Sequence, residues 1–99
     1  MTEQQQGAVY APDAGFAANA HVTAESYARD YAKSVQDPVA YWRREGQRLD
    51  WIRDYTEVKD TSFAPGAVSI RWFGDGTLNV AANCIDRHVA TRGSQTAII

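Results

Sequence analysis

The sequence predicts an α+β fold from three observations: apolar residues recur at helical spacing on both sides of an Asp37-Pro38 break, an alternating run spans Val68 to Phe73, and helical spacing returns from Ala81 to Arg92. The predicted order is two amphipathic helices, a β-hairpin, a third helix and the start of a further strand. A chain of 99 residues is long enough for one small domain. Folding at this size buries only about 60 to 65% of the surface exposed when unfolded, so the core is thin.

Residues 1–22 read as a mobile leader, rich in Gln, Ala and Gly, with Pro12 and without the apolar periodicity of a helix face. Residues 23–99 form the folded part. Thr23 is placed to cap the free backbone N–H groups of the first helix, and Glu25 in its first turn suits the helix dipole. Ala24, Tyr27, Ala28, Tyr31 and Val35 then supply one apolar face. Proline disfavours helical geometry in the residue before it, so this helix stops at Asp37-Pro38, which also opens the second helix as N-cap and first residue. That helix runs to about Leu49, with Tyr41, Trp42 and Leu49 inward and Arg43, Arg44, Glu45, Gln47 and Arg48 outward; Trp51 and Ile52 anchor its exit.

Val58 to Gly66 reads as loop, closed by a Pro65-Gly66 turn. Val68, Ile70 and Trp72 share one face of the following strand, and Gly74-Asp75-Gly76 reverses the chain through positive φ so that Thr77 to Val80 returns as its partner. Ala82, Ile85 and Val89 mark the third helix, which Gly93 ends in a left-handed conformation. Thr96 to Ile99 begins a strand, and the apolar run stops with no turn residue or charged tail. An apolar edge strand without a partner invites aggregation, so the chain reads as one truncated at its C-terminal end, an incomplete part of something larger.

Ten basic against twelve acidic residues give a net charge of -2, which provides no electrostatic footprint for nucleic acid or an anionic membrane. No apolar run approaches the roughly eighteen residues that span a bilayer. The single cysteine, Cys84, has no partner in the chain for a disulfide, and Met1-Thr2-Glu3-Gln4 lacks a secretory pattern, so the expected location is the cytoplasm.

Residues that could carry chemistry are sparse. Cys84 and His88 lie four apart on the third helix, with Asp86 nearby, but a structural zinc takes four ligands and a catalytic one three. The plainer reading is a half-buried cysteine beside a surface histidine. Only His21 and His88 are available as general bases for a nucleophile, and any triad drawn from them is fortuitous. Glu45, Asp50, Asp54, Glu57 and Asp60 alternate with basic residues on a solvated face, and the arginines of the second helix lack the N–H cradle of a phosphate site. Trp42, Trp51 and Trp72 are too many large rings for so small a core, so some are docking anchors left exposed in this chain.

Read in order, Tyr31 to Trp42, Leu49-Asp50-Trp51, Thr61 to Gly66, Val68 to Phe73, Asp75 to Val80 and Ala82 to His88 resemble the amino-terminal region of AMP-forming acetyl-CoA synthetases, the acetate-CoA ligases of the adenylate-forming superfamily. The resemblance covers about residues 25 to 99. It departs at Gly74, where an acidic residue is expected. It implies a larger α/β enzyme that uses ATP, Mg and coenzyme A to turn acetate into acetyl-adenylate and then acetyl-CoA. The nucleotide loop, metal site and catalytic lysine of that family lie further along. The resemblance therefore places no catalytic, cofactor-binding or metal residue here, and its implied partner is the large adenylate-forming domain of the same enzyme. Two alternatives are the front end of a related propionate ligase and an autonomous small interaction module.

Overall fold

The computed structural model describes residues 7–99 and bears out the α+β class. The expectation of a mobile leader falls partly on residues 1–6, outside the described residues. The chain divides into two compact units, one ending at Ala32 and one running from Lys33 to Ile99.

In the first unit a short helix, α1 (Ala14–Ala18), forms where none was expected. Asp13 starts it by accepting the Phe16 N–H at 3.0 Å, and the Asn19 side chain donates to the Gly15 carbonyl at 3.0 Å. One turn closed at both ends by polar side chains needs no apolar periodicity, and Phe16 stays exposed. Helix α2 (Ala24–Gln36) opens at Thr23 as expected. The cap is reciprocal: Thr23 Oγ accepts the Ser26 N–H at 3.1 Å, and Ser26 Oγ accepts the Thr23 N–H at 2.9 Å. Backbone hydrogen bonding at Glu25, aided by the Thr23 hydroxyl, holds the Glu25 carboxyl below the usual range. Tyr27 and Tyr31 stack one turn apart, 6.0 Å between centroids.

In the second unit Asp37 caps α3 (Pro38–Gly46), accepting the Ala40 N–H at 3.1 Å, with Pro38 in the first turn. The helix ends at Gly46, short of the expected Leu49: Gln47, Arg48 and Leu49 donate to the carbonyls three residues back, and side chains then take the next pair of backbone groups. Asn83 Oδ1 accepts the Asp50 N–H at 2.7 Å, and the Trp51 indole donates to the Gly46 carbonyl at 2.8 Å. Those two groups would otherwise bond each other in an α-helix. Leu49 and Trp42, placed inward by the sequence, remain partly exposed.

The strand pairing also differs from expectation. β1 (Lys59–Ser62) occupies the stretch read as loop and pairs antiparallel with β2 (Ser69–Trp72), Lys59 opposite Trp72 and Thr61 opposite Ile70. The reversal is the Pro65-Gly66 turn, with Gly66 at φ 75°. Thr77 forms only an isolated bridge to Arg53, because Asn79 accepts the Ala82 N–H at 2.9 Å and turns the chain into α4 (Val80–Cys84). The positive φ near Gly74-Asp75-Gly76 belongs to Phe73, at 50°. The expected third helix is broken at Ile85 (φ -124°, ψ -64°) into α4, a 3-10 turn (Asp86–His88) and α5 (Val89–Arg92). Gly93 is right-handed, and Thr96 to Ile99 adopt no strand.

Val58, 3% exposed, is the one buried hydrophobic residue among those described. Beside it Trp51, Tyr55 and Phe73 pack ring against ring with centroids 4.7 to 5.6 Å apart. Two glycines admit these rings: a Cβ on Gly46 would lie 2.7 Å from Tyr55 Oη, and one on Gly76 2.6 Å from the Trp51 ring. Gly46→Ala should therefore destabilise the fold by about 1–3 kcal/mol through overpacking, read from the midpoint of urea unfolding.

Candidate functional site

The described residues with the most concentrated polar contacts are Asn83, Arg87 and Asp75. Asn83 is 6% exposed. The turn into α4 points its amide back at the exit of α3, where it accepts the Asp50 N–H and donates to the carbonyls of Asp50 and Asn79, both at 2.9 Å. Every polar atom of this side chain is thereby occupied by protein. Arg87, one turn on, donates to the Arg48 carbonyl at 2.9 Å and to Asn83 Oδ1 at 3.3 Å, and its guanidinium lies 3.8 Å from the Asp50 carboxylate. The group is a clamp between two segments, with no donor or acceptor of Asn83 left for a ligand.

Asp75 forms a second anchor. Its carboxylate accepts the backbone N–H groups of Thr56 and Glu57, each at 3.0 Å, and the Thr56 hydroxyl. Its backbone carbonyl accepts Arg53 Nε at 2.8 Å. The Thr56 hydroxyl, then the Glu57 and Thr56 amides, lower the Asp75 pKa from 3.8 to about 2. Gly74-Asp75-Gly76 is thus a turn whose centre ties down the loop before β1, with Gly76 N–H donating to the Phe73 carbonyl at 3.0 Å.

The residues singled out in sequence fall elsewhere. Cys84 is exposed rather than half-buried, and the helix expected to carry it together with His88 is broken between them at Ile85. His88 accepts a long 3.4 Å contact from Arg87 Nε. Among the described residues, no group of three or more His, Cys, Asp or Glu is arranged to hold a metal. His21 lies in the exposed approach to α2. Arg44 and Arg48 both reach Glu45, at 3.3 and 3.2 Å, and Arg48 above all holds that carboxyl below its ordinary range. None of the helices described is long and apolar enough to cross a membrane.

The aromatic surplus divides as the sequence suggested. Trp51 is half-buried with its N–H satisfied, whereas Trp42 and Trp72 are 40% and 41% exposed and meet edge to face, 6.1 Å apart. Asn83 escaped sequence reasoning. Its only available signal was a polar residue inside an apolar helical pattern.

Residues 27–84 match the family described as the acetyl-coenzyme A synthetase N-terminus. The chain is similar to curated acetyl-coenzyme A synthetases. It is 57% identical to that of Photobacterium profundum over 91 residues, which is 92% of this chain and 14% of the relative. It is 58% identical to that of Yersinia pestis over 86 residues (87% and 13%). With that of Methylobacterium radiotolerans the figures are 53% over 94 residues (95% and 14%). The chain therefore spans about one-seventh of the length of these relatives.

Two outcomes follow from the anchors. Asn83→Ala leaves the Asp50 N–H without its partner and should cost about 1–3 kcal/mol in chemical unfolding. Because the folded-state pKa of Asp75 is depressed, the stability that this carboxylate contributes is present above pH 3.8 and is lost as the pH falls toward 2. Asp75→Asn should melt below wild type at neutral pH, and the gap should close as thermal melts are repeated at progressively lower pH through that window.

Proposed function

Because the chain belongs to the acetyl-coenzyme A synthetase N-terminus family, we propose that it is the amino-terminal structural segment of an AMP-forming acetate-CoA ligase. The observation that carries this reading is the match over residues 27–84 within relatives of which the chain spans 14%. In the whole enzyme acetate attacks the α-phosphate of ATP, giving acetyl-adenylate and pyrophosphate. The thiol of coenzyme A then displaces AMP to give acetyl-CoA. ATP, Mg and coenzyme A belong to that larger body, and the location is cytoplasmic.

On this reading residues 23–99 are the domain that packs on the adenylate-forming domain, and residues 1–22 are a leader ahead of it. The segment contributes no catalytic, cofactor-binding or metal residue. The geometry supports this because its concentrated polar groups are committed to the fold: Asn83 to the exit of α3, and Asp75 to Thr56 and Glu57.

The purified chain, given acetate, ATP, Mg and coenzyme A, should release no acetate-dependent pyrophosphate in a coupled assay. Measurable release would overturn the structural role. The coding sequence after Ile99 supplies a second check, since an in-frame adenylate-forming domain agrees with this reading and an immediate stop codon favours an autonomous interaction module.

A further inference from the structure

The register of β1 and β2 sorts their side chains onto two unlike faces. Lys59, Thr61, Ile70 and Trp72 lie on one, while Asp60, Ser62, Ser69 and Arg71 lie on the other. Val68, two residues before Ile70, extends the first face by the same alternation. This apolar face is open: Ile70 is 58% exposed, Val68 66% and Trp72 41%, with Trp42 of α3 set against Trp72 at its border. Lys59 closes the rim, its ammonium 5.7 Å from the centroid of the Trp72 ring. An isolated two-stranded sheet is marginal in water and needs its apolar face covered.

We propose that the Val68-Ile70-Trp72 face, with Trp42, is the surface on which this segment seats against the adenylate-forming domain of its own polypeptide. This inference rests on the proposed function and adds the face that makes the contact. Length names the occupant, because the matched relatives carry about six times as much chain outside the region shared with this one. The anatomy fits a permanent interface: Trp72 and two aliphatic side chains at the centre, Trp42 and a cation at the border, and polar side chains turned away on the reverse of the sheet.

The test uses a full-length hybrid in which this chain replaces the matching segment of the Photobacterium profundum synthetase, beside the 99-residue chain itself. Ile70→Cys is introduced in both, and maleimide labelling of the new thiol is followed by peptide mass spectrometry. In a hybrid that makes acetyl-CoA, labelling should be at least about ten-fold slower than in the separate chain, because thiol reaction requires access. Equal labelling in an active hybrid would overturn the assigned face and leave the proposed function standing. A hybrid without Ile70→Cys that neither folds nor turns over acetate would overturn both. Sedimentation of the separate chain supplies the third arm: a dimer whose thiol is already protected would assign the face to a second copy and overturn the proposal.

Discussion

The buried amide of Asn83 is the interaction on which the second unit depends. It joins positions 33 residues apart in sequence by taking both the N–H and the carbonyl of Asp50. After α3 ends at Gly46 in a tighter turn, this amide holds the Asp50 N–H out of any further helix, and the chain leaves in the direction that brings Trp51 onto the Gly46 carbonyl. Tyr55 follows, its hydroxyl donating to the Arg43 carbonyl and its ring packing on Phe73. Asp75 then closes the far side of the same loop through Thr56 and Glu57. Where Val58 is the one buried hydrophobic residue among those described, directional bonds across long loops must set the geometry that a larger core would set by volume. Each is worth only about 0.5–1.5 kcal/mol net, so the arrangement relies on several acting together.

Local chemistry was legible in the sequence, and competition between partners was not. Thr23 and Asp37 cap their helices as residue type and position require, and Pro38 stands in the first turn. Val68 to Phe73 alternates and contains β2. The end of α3 differs from expectation where the chain tightens after Gly46 and Asn83 and Trp51, both outside the helix, hold the Asp50 N–H and the Gly46 carbonyl. β1 was missed because Lys59-Asp60-Thr61-Ser62 has almost no apolar content, and it is a strand because β2 offers it a hydrogen-bonding edge. The continuous third helix failed at Ile85, although its apolar spacing was helical on both sides.

The candidate site followed the same division. Cys84 and His88 stand out by residue type and spacing, but the helix that spacing assumed is broken between them at Ile85. Asn83 belonged to no chemical motif and Asp75 was only the centre of a turn, yet they gather the densest hydrogen bonding among the described residues. Tryptophan count was the better guide: three rings exceeded what the core could hold, and two of them remain half open on the apolar side of the sheet.

That open face has a consequence in time. A polypeptide as long as the relatives, about 650 residues from the shared fraction, grows at about 5–20 residues per second, with its amino-terminal part emerging first. Val68, Ile70 and Trp72 would then face solvent for roughly half a minute to two minutes before the rest of such a chain could cover them. Lys59 beside Trp72, and Asp60 and Arg71 on the reverse of the same two strands, put charge next to an aggregation-prone stretch through that interval. In such a chain the charges that border the open face would serve before that face is covered as well as after.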